Sequence, residues 1–205
     1  MSKRKNTIPR ISILSGGIGP EREVSLNSGL ALADALEGYS LIDLIDLKNT
    51  ALPTELDPGK QVIFPVIHGT FGEDGTLQKM LEEAGFAYAG CDSSSSRLCM
   101  HKGLCKDRVG SKDVRIVPDY RFQDPREVSP DSIIRELGQE LIVKPADQGS
   151  SVALHVCSGV EELQTVLESL GNGDWMIEQR ILGREVTIGL LNGQPMGIVE
   201  VVPDG

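Results

Sequence analysis

No apolar run in this sequence approaches the roughly eighteen residues of a membrane-spanning helix, so no membrane partner is expected. Positive charge is in deficit: Lys plus Arg is 20 against 30 for Asp plus Glu, a formal net charge of −10. An acidic chain is a poor candidate for sequence-blind nucleic-acid binding, where a basic face supplies most of the affinity, and no nucleic-acid partner is expected. Any anion must be held by a local cluster of Lys, Arg and backbone N–H groups. Paired cysteine spacing is missing as well. Cys91, Cys99, Cys105 and Cys157 form no CxxC pair, which leaves a zinc ribbon or a thioredoxin-like motif unsupported. Free thiols in a reducing compartment are the plain reading. There is no secretory h-region: the basic residues Lys3, Arg4, Lys5 and Arg10 are followed only by the short stretch Ile11–Leu14 before Gly16-Gly17. A cytoplasmic location is expected. No internal repeat is visible.

What is present is an ordinary globular balance, 40% apolar and 24% charged over 205 residues, enough for one large core or two small ones. Apolar strands alternate with helical patterns. Ile11–Leu14, Leu41–Ile45 and Gln61–Ile67 read as strands, and Pro65 assigns the third an edge or a strand end. Glu23–Leu36 reads as a helix with Val24, Leu30, Ala31 and Leu36 for an apolar face. Thr76–Glu83 reads as another, ended by Gly85. This alternation predicts a parallel sheet with crossover helices, whose ligands sit at the carboxyl ends of the strands. Beyond residue 90 the character changes. A helix is predicted from Ser93 through Lys102, and Asp124-Pro125 with Ser129-Pro130 mark a loop. Glu140–Pro145 and Val152–Val156 read as a hairpin. A helix over 160–170 and a strand Trp175–Gln179 follow, so this half reads as α+β.

Four segments carry chemistry. In His68-Gly69-Thr70-Phe71-Gly72-Glu73-Asp74-Gly75, three glycines let the backbone turn tightly, and His68 with Glu73 brings a titratable pair to a strand end. The same residues also fit a plain strand-to-helix turn capped by Asp74 or Thr76. Gly16-Gly17 with Glu21-Arg22-Glu23 does not match G-x-G-x-x-G, because Arg22 holds the last glycine position. Its carboxylates suit a helix start or an ammonium ligand better than a phosphate. Lys144-Pro145-Ala146-Asp147-Gln148-Gly149-Ser150-Ser151 offers an ammonium and closely spaced N–H donors, an anion-binding concavity or a surface hairpin. Glu178–Glu185 is either a charged linker or a strand end presenting backbone groups to a purine.

In this order and spacing, and with Met100-His101-Lys102, the segments resemble D-alanine–D-alanine ligases of the ATP-grasp superfamily over nearly the whole chain. The resemblance implies an N-terminal parallel α/β (pre-ATP-grasp) domain over residues 1–92 and an α+β ATP-grasp subdomain over 93–176. The start of a last, truncated lobe would occupy 177–205. It implies ATP-dependent ligation of two D-alanines through an acyl phosphate, for peptidoglycan precursors. Glu21 would hold the ammonium of the first D-alanine, with His68 and Glu73 orienting its carboxylate. Ser150 would link the substrate to a mobile loop, and Glu21 and Ser150 are the catalytic candidates. Lys102 and Lys144 would neutralise ATP phosphates, and Gly149, Ser150 and Ser151 would contact the transferred phosphoryl group. Gln179 and Ile181 would read adenine, Glu178 would sit by its amino group, and Glu185 would hold the ribose.

Two positions depart from the family pattern: His101 replaces the acid of a Met-Asp-Lys triplet, and Gln148 stands where glutamate is common. Mg²⁺ or Mn²⁺ is implied, but the family's metal ligands lie in a region this sequence does not contain, so no metal site is assigned. The reading is therefore of an incomplete, catalytically inactive fragment. A non-catalytic nucleotide-binding remnant, a regulatory pseudoenzyme and a related D-Ala–D-Xaa ligase are the alternatives. The family is often dimeric, so a homodimer is among the expected assemblies.

Overall fold

The computed structural model describes residues 10–149 and 152–202. Its first half is built on four parallel strands, β1 (Arg10–Gly16), β2 (Ile42–Leu47), β3 (Gln61–Pro65) and β4 (Ala87–Tyr88). They lie side by side in the order β2-β1-β3-β4. Ile13, Leu14 and Ile63 are fully buried, as uninterrupted apolar runs in a covered parallel sheet should be. Pro65 closes β3, so its missing N–H falls at the strand end, although β3 itself lies inside the sheet.

Helix α1 (Arg22–Ala35) corrects the amphipathic face read from the sequence. Val24 and Leu30 are more than half exposed, and the buried positions are Ser25 and Gly29. A Cβ on Gly29 would stand 2.7 Å from Ser15 Cβ and 3.1 Å from Leu44 Cδ1, so the helix lies against β1 and β2 too closely for a larger side chain. Helix α2 (Thr76–Glu83) buries Leu77 and Leu81, and Gly85 follows it in the left-handed region at φ +77°.

The second half runs α3 (Ser93–Met100), α4 (Lys102–Gly110), β5 (Asp119–Phe122), a 3-10 turn (Pro125–Glu127) and α5 (Pro130–Leu137). It continues with β6 (Glu140–Pro145), β7 (His155–Ser158), α6 (Gly159–Ser169) and β8 (Trp175–Gln179). The strands form an antiparallel sheet in the order β5-β8-β6-β7. Three sequence readings change here. The helix predicted through Lys102 breaks at His101, which is extended (φ −86°, ψ 102°). The prolines read as a loop include the first residue of α5, where a missing N–H costs nothing, and Ile133 and Leu137 bury that helix on the sheet. The return strand begins at His155 rather than Val152, with Leu141 opposite Cys157. A division after residue 176 also falls inside β8, whose Ile177 belongs to the second core. Beyond it, β9 (Glu185–Leu191) and β10 (Gln194–Val201) form a separate antiparallel ribbon with exposed side chains on both faces.

Two apolar cores result. One gathers Leu14, Ile63, Phe71, Leu77 and Leu81, the other Phe122, Ile133, Leu141, Leu163 and Ile177, and among the described residues no buried one belongs to both. The fold is α/β followed by α+β, as the pattern predicts. Gly29→Val is expected to lower stability by about 1–3 kcal/mol through overpacking. Leu30→Gln, one residue on and exposed, should stay within about 0.5 kcal/mol of the parent. Urea unfolding midpoints compare the two.

Candidate functional site

Two polar clusters stand out, one in each half. The first sits where β1 and β3 end. Ser25 ties those ends together: its Oγ accepts from Gly16 N–H at 2.9 Å and donates to the Val66 carbonyl at 2.7 Å. Arg22 locks the first turn to β2, donating to the carbonyls of Gly17 and Leu47 at 3.1 Å each and to Asp46 at 2.7 Å. Glu21 occupies the N-cap position of α1 without capping it through its side chain. Its carboxylate reaches the next turn instead: a Cβ on Gly69, which has φ +72°, would lie 2.8 Å from Glu21 Oε2. That approach needs glycine at 69.

His68 stands between Ser28 and Glu73. The Ser28 hydroxyl donates to the Val24 carbonyl at 2.9 Å, so its oxygen accepts from His68 Nε2–H at 3.1 Å. His68 Nδ1 then faces Glu73 Oε1 at 3.7 Å, and Glu73 Oε2 accepts from Gly69 N–H at 2.7 Å. Asp74 holds the turn, accepting from the N–H groups of Phe71 and Thr76 at 2.9 Å each. The N-cap position of α2 is Gly75, which has no side-chain cap, so Asp74 braces the turn before the helix rather than standing at its cap position. His68, Glu73 and Ser28 line a cleft of about 550 Å³ whose far wall is Ser95, Cys99 and Met100 of α3.

The second cluster is cationic. Lys102, the first residue of α4, donates its backbone N–H to the Ala146 carbonyl at 2.8 Å, and its ammonium to the Gln148 carbonyl. Burial, and then the neighbouring Lys144, push its ammonium pKa down. Lys144 on β6 pairs with Glu178 Oε2 on β8. Gly149 opens a turn in which Val152 N–H donates to its carbonyl at 3.1 Å. Ser150 and Ser151 lie outside the described residues. A cleft of about 320 Å³ is lined by Thr70 and Asp74, chain neighbours of His68 and Glu73, and by Arg97, His101 and Asp147 from the second half.

The structure therefore brings Glu21, His68 and Glu73 together, and Lys102, Lys144 and Glu178 together. Gln179, Ile181 and Glu185 follow along the strand end and the exposed segment that leaves β8, with Glu185 opening β9 opposite Val201. Lys106, Asp119 and Arg121 escaped the sequence reading. Lys106 Nζ lies 2.6 Å from Glu178 Oε1 and 2.7 Å from Asp119 Oδ1. Its spacing of four from Lys102 on one helix face was the available signal.

Residues 43–91 match the family model for the D-Ala-D-Ala ligase N-terminus, and residues 113–205 match that for the C-terminus. The D-alanine–D-alanine ligase of Haemophilus influenzae (strain PittEE) is 36% identical over 202 residues, covering 94% of this chain and 67% of that protein. That of Syntrophotalea carbinolica is 34% identical over 224 residues, covering 100% and 67%. This chain belongs to the D-alanine–D-alanine ligase family. The crystal structure of the D-alanine–D-alanine ligase from Bacillus anthracis complexed with ATP superposes with a TM-score of 0.84 at 26% identity, covering 95% of this chain and 66% of that one. The chain spans about two thirds of the length of the curated relatives it matches.

Within the ligase family pattern, His101 in place of the acid is explained by geometry. Its Nδ1 accepts from Leu104 N–H at 3.2 Å, which caps α4, and its Nε2 donates to Asp174 at 2.8 Å. His101→Asp should keep the cap, while His101→Ala should cost about 1 kcal/mol, read by thermal or urea unfolding. Acid should also find the Asp119 ion pairs. Burial pushes the Asp119 carboxyl up, but hydrogen bonds from Lys106 and Arg121 outweigh it and hold the pKa below the usual value. A lowered folded pKa gives stability that is present above the unfolded value, about 3.9, and lost as pH falls through the folded one. The stability gap between wild type and Asp119→Asn should therefore narrow from pH 7 to pH 3 in urea titrations.

Proposed function

We propose that this chain binds ATP and D-alanine for the ATP-dependent joining of two D-alanines through an acyl phosphate. The observation that carries the reading is that chain neighbours of two unlike clusters, Thr70 and Asp74 beside the first and His101 and Asp147 beside the second, line one cleft. A carboxylate–imidazole group ends the parallel sheet, and a pair of ammonium groups, Lys102 and Lys144, starts α4 and ends β6. A small zwitterion and a polyphosphate need those two environments side by side.

Glu21 receives the ammonium of the first amino acid. His68, fixed by Ser28, and Glu73 orient the substrate carboxylate in a hydrogen-bonded network, His68 donating through Nδ1 when both ring nitrogens carry a proton. Lys102 and Lys144 neutralise the phosphate chain, and Gly149, Ser150 and Ser151 are assigned to the phosphoryl group in transfer. Attack of the substrate carboxylate oxygen on the terminal phosphorus breaks its bond to the bridging oxygen, leaving ADP and an acyl phosphate. The amine of the second amino acid then displaces phosphate. Adenine packs at Gln179 and Ile181, with ribose at Glu185.

Among the described residues, no group of three or more His, Cys, Asp or Glu side chains is placed to hold a metal ion. The family's Mg²⁺ or Mn²⁺ is therefore not fitted by these residues, and no step here runs through it.

Calorimetric titration tests the assignment. Lys144→Ala should weaken ATP binding about thirtyfold, the scale of a lost charged hydrogen bond of ~2 kcal/mol. Glu21→Gln should weaken D-alanine binding with little effect on ATP. Unchanged ATP affinity in Lys144→Ala overturns the nucleotide site. A coupled ADP-release assay with D-alanine then separates ligation from nucleotide binding alone.

A further inference from the structure

Lys144, the lysine assigned to the phosphate chain, is already engaged with Glu178 Oε2. Glu178 is only 9% exposed. Drawing Lys144 toward a ligand would strand its carboxylate where water cannot replace the lost cation, and a stranded buried charge is costly. A second cation removes that penalty. Lys106, with a side chain 13% exposed, holds Glu178 Oε1 at 2.6 Å and Asp119 Oδ1 at 2.7 Å. Arg121 Nε donates to Asp119 Oδ2 at 2.7 Å, and its two Nη groups donate to Asp107 at 2.8 and 2.7 Å. The charges alternate along the row Lys144, Glu178, Lys106, Asp119, Arg121, Asp107. If Lys144 leaves, each buried carboxylate keeps a cation, and the surplus negative charge falls on Asp107, whose side chain is 59% exposed.

We infer that Lys106 is a positioning residue: it is the resident counter-ion of Glu178, and it lets Lys144 exchange that carboxylate for a ligand phosphate. The inference rests on the nucleotide reading above and assigns Lys106 no contact with the ligand. The crowding of Lys102 against Lys144 agrees with it, since an arriving anion relieves both cations.

Inorganic tripolyphosphate, which carries no adenine, isolates the exchange. It is titrated calorimetrically into wild type, Lys106→Met, Glu178→Gln and the double variant. Lys106→Met should weaken binding by roughly tenfold or more, because Lys144 becomes, among the described residues, the one cation in direct ion pair with Glu178. Glu178→Gln should bind more tightly than wild type, because Lys144 is released. The double variant should return to the Glu178→Gln level, since a neutral side chain needs no counter-ion. A Lys106 that merely fastened α4 to the sheet would leave the double variant at least as weak as Lys106→Met. That result, or unchanged binding in Lys106→Met, overturns the inference. Should Lys106→Met not fold, Glu178→Gln decides alone: tighter binding supports the exchange, and equal or weaker binding overturns it. A wild type that binds no tripolyphosphate also overturns it. If Lys144→Ala then leaves ATP binding untouched, the nucleotide reading falls as well.

Discussion

A carboxylate withdrawn from water must be surrounded by cations and donors, and Glu178 imposes that demand on the second half of the molecule. It draws Lys144 from β6 and Lys106 from α4 onto β8, and through Asp119 it recruits Arg121 from β5. Three strands and a helix are thereby fixed in register by charge as well as by the apolar core beneath them. Gly103 belongs to the same arrangement: a Cβ there would stand 3.1 Å from the Arg121 guanidinium, a tight contact where the arginine passes.

The first half meets a different constraint. A parallel sheet exposes its ligand edge only at strand ends, and there backbone must approach backbone closely. Ser25 serves two strand ends with one hydroxyl, glycine at 29 admits a helix where a side chain would meet Ser15 and Leu44, and glycine at 69 takes a left-handed turn beside the Glu21 carboxylate. Gly72 is the tightest case, since a Cβ on it would fall 2.1 Å from the Ile67 carbonyl oxygen. The turn's shape is thus set by small residues, and its chemistry by the few polar ones between them.

Legibility in the sequence followed these physical differences. Strands with apolar runs announce themselves, and β6 and β8 are legible to the residue. The packing face of α1 was hidden because it rests on Ser25 and Gly29, while the apolar residues that suggest a face point outward. The break between α3 and α4 was hidden because His101, neither glycine nor proline, makes it with its ring. Helix α5 was hidden because Pro130 reads as a breaker when it is an initiator. Motif residues can be read from spacing, but Lys106 stands on α4, Asp119 and Arg121 on β5 and Glu178 on β8, and only the fold joins them.

The separation of the two cores has a calorimetric consequence. With no shared buried residue among those described, each can melt as its own cooperative unit, giving a broad or doubled heat-absorption trace. A ligand held by Glu21 and His68 on one side and by Lys102 and Lys144 on the other would act as a strut between them. Saturation should then fuse the trace into one sharper peak, and this sharpening would report occupancy of the whole cleft rather than of either half.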